Sequence, residues 1–474
     1  MTTSFSFTDN SPHYSVQVTD EQKIKLLELS CKSLEQLQND GLFVYSLSPS
    51  LSKNRKKLTV FDAFVNTNSN DLTIYTHNLV GFICYKGLKL DISSRFTSAA
   101  SADGADSNDF FLHYLMLKIN EFNFIEQYYP FTKTDSALDF LPFLFTKFLT
   151  NALNQGLFKQ YQRHHYNNSR PRGTIDIAAH LKLNMPFTGK IAYSTREFSY
   201  DNPITELIRH TIESIRNKPE LRDLLYLTRT TQEAVKQIEA ATPSYSPNNL
   251  KQVLADNARP LQHPFFTAYG PLQYLCKSIL RNEMMRYANT TQQDDEIYGV
   301  ICDISYLWEE YLATLLTVRP LNFIHPNNTT GERAIYLAKP HAFRSFPDFY
   351  LPSSSVSNNT DPDTKQAALL VVDAKYKRYA EGRKVDPADM HQIMVYMYAQ
   401  KAPNALLISP MQADAKNTDI IKPQCYNLLG YGGNISVLAM PIPQKAESFA
   451  GFCHAMAKAE QSLISALQGL VLSQ

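Results

Sequence analysis

The sequence predicts an α/β chain, α+β in its overall arrangement. Apolar residues recur at helical spacing in some stretches and alternate or run continuously in others, so both periods are present. In the last third, predicted helices and strands succeed one another as helix, two strands, helix, two strands and helix, an α/β order. The composition, 44% apolar and 19% charged over 474 residues, is that of a folded chain, and the length implies two or three domains.

Residues 1–20 are polar and read as a flexible N-terminus. A helix is expected from about Glu21 to Gln38, with Ile24, Leu26, Leu27, Leu29 and Leu34 spaced for one face. Strands follow at Leu42–Leu47, Leu58–Phe64, Leu72–Thr76 and Leu79–Ile92, the last folded back at a Tyr85-Lys86-Gly87 turn. Thr97–Asn108 is rich in Ser, Ala and Asp and reads as a loop. The pattern is helical from Phe110 to about Gln160. Residues 150–220 carry a modest basic excess, and helix continues to about Lys236 before a loop over Ala241–Asn249. A helix is expected over Asp303–Val318, then strands over Phe343–Leu351 and Ala367–Tyr379. A helix over Pro387–Gln400, strands over Ala405–Ser409 and Ile435–Pro441 and a helix over Ala446–Leu470 complete the chain. These shifts mark a flexible N-terminus, 1–20, a β-rich segment, 21–125, a mainly helical, mildly basic segment, 126–295, and a final α/β segment, 296–474.

The net charge of +1 argues against a protein that holds nucleic acid by bulk charge alone, though not against a local basic surface. The six cysteines are scattered, with neither a CxxC pair nor a zinc-finger spacing, and read as free thiols in a reducing compartment. The N-terminus lacks a signal-peptide pattern and no apolar run approaches membrane-spanning length, so a cytoplasmic, membrane-free protein is expected. No GxxxxGK[ST] phosphate loop is present; Gly430, Gly432 and Gly433 lack the lysine and read as a turn.

One constellation carries chemistry. Phosphodiester hydrolysis uses a divalent metal that activates water and offsets charge on the phosphate. Mg²⁺ takes one or two carboxylates, with water and substrate phosphate completing its shell, and a nearby lysine can position water and stabilise the transition state. Ser345-Phe346-Pro347-Asp348 supplies one acid. Leu369-Leu370-Val371-Val372-Asp373-Ala374-Lys375 supplies the second acid and the lysine two residues apart, on one face of a strand. The apolar run ahead of Asp373 fits a strand covered on both faces. The polar loop Pro352–Gln366 would let the strands pair and bring Asp348 beside Asp373. In the following helix Asp386 is a good N-cap, Pro387 suits the first helical position, and Asp389 stands where a capping-box acid would. Asp389, Gln392 and Tyr396 share one face. Lys377 and Arg378 extend the strand, and either phosphate contact or plain solvation fits them. His391 reads as structural, and His164-His165 as part of a basic loop.

This pattern resembles the PD-(D/E)xK nuclease signature, which implies a restriction-endonuclease-like domain over 296–474 with a central mixed sheet flanked by helices. In RecB-like members a glutamine at the place of Gln392 contributes to the active site. The superfamily often places a metal-assisting glutamate on the preceding helix, here in Leu307-Trp308-Glu309-Glu310-Tyr311. Both glutamates flank the apolar stripe, and the family's apolar-aromatic-Glu step favours Glu309. The resemblance thus implies Asp348, Asp373, Lys375, Gln392 and Glu309 as catalytic residues. It implies Asp348, Asp373 and Glu309 around Mg²⁺, with Mn²⁺ as an alternative.

The chain also resembles the McrC family, the nuclease subunits of McrBC modified-cytosine restriction systems. Four upstream stretches carry this in order: Val80-Gly81-Phe82-Ile83 leading to Leu90-Asp91-Ile92; Gly156-Leu157 with Tyr161; Arg172-Gly173-Thr174-Ile175-Asp176; and Glu197-Phe198-Ser199-Tyr200-Asp201-Asn202-Pro203. The resemblance runs from about residue 75 to about 440. It implies an endonuclease acting on double-stranded DNA, with an AAA+ GTPase ring as partner that selects modified DNA and that the N-terminal half contacts and stimulates. A non-cleaving regulator of a partner NTPase and a stand-alone RecB-like repair nuclease are the other readings. The intact Asp348, Asp373 and Lys375 weigh against the first, and the long N-terminal half against the second.

Overall fold

The computed structural model describes residues 3–472 apart from 12, 13, 17, 47, 66–70, 98–108, 120–140, 220, 227, 288–296, 327–333, 339–341, 354–366, 380–383, 415–423, 431, 445 and 447. Most of the expected loops Thr97–Asn108 and Pro352–Gln366, and residues 120–140 of the expected helical run, lie outside the described residues. The chain is mixed α/β and divides into two units, Met1–Asp139 with Thr291–Gln474, and Phe140–Thr290.

In the first unit the segment expected to be loose opens with a strand, Thr3–Thr8. Its Thr-Ser-Phe-Ser-Phe-Thr alternation lays Phe5 and Phe7 toward the core, and it pairs parallel with Leu88–Ser93. Strand order in this five-stranded sheet is Thr3–Thr8, Leu88–Ser93, Leu79–Tyr85, Tyr298–Asp303, Leu42–Ser46. Tyr298–Asp303, which opens the segment assigned by sequence to the final α/β region, is thus an inner strand among N-terminal ones. Glycines permit the crossing. Gly81 and Gly299 both have positive φ, and a Cβ on either would stand 2.0–2.2 Å from a carbonyl oxygen of the other strand. A three-stranded sheet, Tyr14–Val16, Leu72–Thr76 and Phe61–Val65, packs into the same core.

The single helix expected over Glu21–Gln38 is two, Asp20–Ser30 and Leu34–Asp40. Each begins with its own capping box, Thr19 with Gln22 and Ser33 with Gln36, and the second start breaks the run.

The second sheet of this unit runs Phe349–Pro352, Ala368–Ala374, Asn404–Asp414, Asn434–Gln444, Gln424–Asn427. The three central strands are parallel and the outer two antiparallel to their neighbours. The expected strand Phe343–Leu351 is two short ones. Ala342–Ser345 pairs with Ile335–Ala338, and Phe349–Pro352 joins the sheet; Pro347, without an N–H to give a ladder, lies in the gap. Pro387–Gln400 crosses between parallel strands and buries Ile393, Tyr396 and Met397 on the face of Val371, Leu407, Ile435 and Val437. Residues of opposite parity serve the other face, where the Tyr311 hydroxyl of helix Ile304–Leu316 reaches the Met440 sulfur. There the buried Glu460, on helix Phe449–Leu472, accepts from the Tyr114 hydroxyl (2.6 Å), the Tyr311 hydroxyl (2.9 Å) and Lys118 (2.9 Å). Three helices are tied at one carboxylate.

The second unit is helical around Leu141–Asn154, Pro203–Arg216, Arg229–Ala241 and Tyr269–Tyr287. It also holds an antiparallel sheet of Gln160–Asn168, Ile191–Ser199 and Thr174–Ile175 that the sequence reading missed. Its first strand, Gln-Tyr-Gln-Arg-His-His-Tyr-Asn-Asn, is polar and largely exposed, so it lacks the apolar signal of a half-buried strand. His164 and His165 accordingly lie in a strand, not a loop.

His113, on helix Phe110–Ile119, is 1% exposed, and burial holds its imidazole down at about 4. A depressed folded-state pKa gives stability that is fully present above pH 6.5 and lost as pH falls toward 4. The loss amounts to about 3 kcal/mol across that window. The parent's melting transition is expected to fall relative to that of His113→Leu as pH drops from 6.5 to 4, and the difference between the two to stay constant above pH 6.5. Parallel pH dependences in the two proteins would refute the assignment.

Candidate active site

Strand Ala368–Ala374 is the frame of the site. Asp373 sits opposite Leu407 in the parallel ladder and is 1% exposed. The Lys375 N–H continues that ladder to the Ile408 carbonyl at 2.8 Å. The two-residue spacing places both side chains on one face, and Lys375 Nζ lies 2.7 Å from Asp373 Oδ2. The face is that of helix Pro387–Gln400. From it Gln392 Oε1 accepts from Lys375 Nζ at 2.9 Å, and Gln392 Nε2 donates to the Tyr396 hydroxyl at 2.9 Å.

Asp386 caps this helix, accepting from the Ala388 N–H at 2.9 Å. Asp389 does not close a capping box. Its carboxylate meets Lys377 Nζ at 2.6 Å with one oxygen, and its other oxygen stands 4.0 Å from Lys375 Nζ. Lys377 also pairs with Asp386 at 3.1 Å. His391 is exposed and takes no part.

Asp348 precedes Phe349–Pro352, whose antiparallel pairing with Ala368–Ala374 brings it to the end of the Asp373 strand. Its Oδ2 accepts from the Ala374 N–H at 2.7 Å. Burial pushes its carboxyl well above the usual range. Glu309 and Asp373 push the same way, against Lys375 and the Ala374 N–H. Glu309 is pushed up to about 7 by burial and by Glu310 and Asp373, against His325 and Lys375. Burial opposes the Lys375 charge, but Asp373, Asp348 and Asp389 outweigh it and hold the ammonium above its ordinary value.

His325 is a participant that sequence reasoning missed. Its Nδ1 meets the Asp348 carbonyl at 2.6 Å, its Nε2 stands 3.8 Å from Glu310 and 4.0 Å from Glu309, and its ring stacks on Phe349 at 4.8 Å. Both ring nitrogens face oxygens that only accept, an arrangement that favours the doubly protonated ring. Burial lowers its pKa, but Glu310, the Asp348 carbonyl and Glu309 together raise it. Nothing in Leu321-Asn322-Phe323-Ile324-His325-Pro326 announces this role. A bridge between Ile324 and Tyr350 carries the histidine in.

Asp348, Asp373, Lys375, Gln392 and Glu309 thus gather at one end of the sheet. Among the described residues no three His, Cys, Asp or Glu side chains converge as a ready-made metal cage. The set of Asp348, Asp373 and Glu309 expected around the metal therefore does not form such a cage, and Glu309 leans toward His325. The donor set fits a hard cation that takes two carboxylates, Asp348 and Asp373, and draws its other ligands from water and phosphate. Mutual repulsion among the carboxylates is what such a cation would relieve.

A family model described as McrBC 5-methylcytosine restriction system component matches residues 74–410. No curated protein matches the chain. Among solved structures, it is similar to a chain of a refined half-complex from the tetradecameric assembly of Thermococcus gammatolerans McrB AAA+ hexamers with bound McrC. That likeness has 14% identity and a TM-score of 0.50, covers 98% of this chain and 100% of the other, and bears on the fold alone. It also matches a chain of the cryo-EM structure of the Thermococcus gammatolerans McrBC complex at 13% identity and a TM-score of 0.30, over 66% of this chain and 87% of that one.

Replacing Asp348 by asparagine keeps an acceptor for the Ala374 N–H and removes one repelling charge. In chelator at mildly alkaline pH, the first calorimetric transition of Asp348→Asn is expected about 2 °C above the parent's. Added Mg²⁺ should raise the parent's transition and leave the variant's in place. A variant melting below the parent in chelator would contradict the repulsion described.

Proposed function

The chain belongs to the McrBC family of 5-methylcytosine restriction system components, and on that premise we propose that it is the nuclease subunit of such a system. The proposed activity is Mg²⁺-dependent endonucleolytic hydrolysis of DNA phosphodiester bonds by a PD-(D/E)xK site. The observation that carries it is Lys375 Nζ held at 2.7 Å from Asp373 and 2.9 Å from Gln392, beside a second acid, Asp348, at the end of a buried parallel strand. A salt bridge serving stability alone has no use for the added repulsion of Asp348 and Glu309.

Asp348 and Asp373 would hold the metal, which when bound supplies a Lewis acid and a more acidic water. Lys375 presents a fixed positive charge to the phosphate, preorganised by Asp373 and Gln392 so that little reorientation is needed. Tyr396 fixes the Gln392 amide, which in turn limits where the Lys375 ammonium can swing. His325 orients the Asp348 backbone and offsets the glutamate charge.

Selection of the target is assigned to another chain. The McrC of the solved half-complex is bound to McrB AAA+ hexamers. This sequence has no nucleotide-binding phosphate loop of its own, which suits a subunit recruited to double-stranded DNA by a GTPase ring. Among the described residues no helix is long and apolar enough to cross a membrane, and cytoplasmic action on DNA is part of the proposal.

Asp373→Ala and Lys375→Ala are each expected to lower Mg²⁺-dependent cleavage of modified plasmid DNA, with the partner ring present, by at least ~10³-fold. Both should keep the parent's circular dichroism and partner binding. Cleavage by either variant at the parent's rate would defeat the assignment.

A further inference from the structure

Beside the catalytic strand end lies a cavity of about 860 Å³ inside the first unit. Its walls are the three-stranded N-terminal sheet, the turn after Thr3–Thr8, Arg95, and the residues Lys377, Arg378, Tyr379, Lys384 and Asp386. The volume falls within the ~300–1,000 Å³ of ordinary ligand sites. The cavity adjoins the active site through one carboxylate, since Asp389 touches Lys377, a lining residue, and stands 4.0 Å from Lys375.

The lining has two chemistries. Phe64 and Tyr75 form an edge-to-face pair at 5.6 Å, and Phe64 is 58% exposed. Across from pure apolarity stand four cations, Arg95, Lys377, Arg378 and Lys384, against three carboxylates, Asp9, Asp62 and Asp386. The carboxylates are engaged: Asp9 with Arg95, Asp62 with Thr59 and His77, Asp386 with Lys377. Lys384 forms no ion pair among the described residues and is exposed. An exposed ring face, together with an ammonium that has no ion pair among the described residues, suits a ligand with a flat aromatic part and an anionic part.

We propose that this cavity seats a nucleotide of a single DNA strand that leaves the active site, its base against Phe64 and Tyr75 and its phosphate against Lys384 and Arg378. The inference rests on the nuclease reading, which supplies a strand at that edge of the sheet. A duplex offers no open base face to Phe64, so the site discriminates for an unpaired strand.

The test uses the full chain with Ca²⁺ in place of Mg²⁺ and a short fluorescent single-stranded oligonucleotide. The double variant Phe64→Ala with Lys384→Ala is expected to bind it about tenfold more weakly by anisotropy. In Mg²⁺ it should show a raised KM for DNA with kcat unchanged. Photocrosslinking of a bromouracil-substituted oligonucleotide to the parent should label peptides within 61–76. Equal binding and KM in parent and double variant overturn the proposal. So does an absence of label there, or a cavity that takes free deoxynucleotide while oligonucleotide binding ignores the variant. A parent that binds in the variant-sensitive way but cuts nothing leaves the cavity standing and removes the nuclease reading; a parent that cuts with an indistinguishable double variant does the reverse.

Discussion

The ion pair between Asp373 and Lys375 sits at the end of a strand whose every other side chain is committed to packing. Val371 and Val372 are fully buried on opposite faces, so a slip by one residue would exchange the side chains packed on each face. That register sends Asp373 and Lys375 to the face of helix Pro387–Gln400, where Gln392 and Asp389 wait. A one-residue shift would reverse the faces and leave a buried carboxylate among the aliphatic side chains around Tyr311, at a cost no local rearrangement could offset. The parallel neighbours on one side and Phe349–Pro352 on the other hold the register from both edges.

The N-terminal sheet is bound to this arrangement directly. The Tyr376 hydroxyl, one residue past Lys375, meets Ser94 Oγ at 2.7 Å, and the Arg95 guanidinium lies 4.6 Å from the centre of the same ring. Arg378 and Gln412 both donate to the Arg95 carbonyl, and Gln444 donates to that of Phe96. Together with Tyr298–Asp303 lying inside the N-terminal sheet, these bonds make the first hundred residues part of the scaffold that aims Lys375. The first unit is discontinuous in sequence for that reason, and the second is an insertion within it.

What the sequence made legible follows from which signals are local. Asp386 and Pro387 announced a helix start, and helix Pro387–Gln400 begins and ends where they and its periodicity place it. Strand Leu72–Thr76 alternates cleanly and was equally readable. The relation of Asp373 to Lys375 was legible because a strand's period of two is fixed by backbone geometry. Long-range placement was not. His325 enters the site through a single bridge to Tyr350, and Tyr298–Asp303 joins strands more than two hundred residues earlier, neither of which leaves a trace in nearby residues. The sheet around Tyr161 and Phe198 escaped notice because its stabilising contacts are ring on ring and cation on ring, as with Arg196 over Tyr161 at 4.7 Å, rather than buried aliphatics.

Net charge conceals the feature that matters most for chemistry. The chain totals +1, yet around Lys375 the four carboxylates of Asp348, Asp373, Asp389 and Glu309 face three basic groups, Lys375, Lys377 and His325. Burial sharpens that imbalance, because a low-polarity surrounding weakens the solvent's screening of like charges. Asp348 and Glu309 respond by holding protons far more tightly than free carboxyls do. A fold selected for stability alone would replace one of them with an apolar side chain of similar volume. Retaining the repulsion makes sense if something positive completes the site in use. On the proposed reading, the same local deficit would draw a cation to the place where a phosphate is cut, while the cavity beside it would offer positive charge and a ring face to the strand. Attraction of the metal and of the polyanion are then separated in space by the thickness of Asp389.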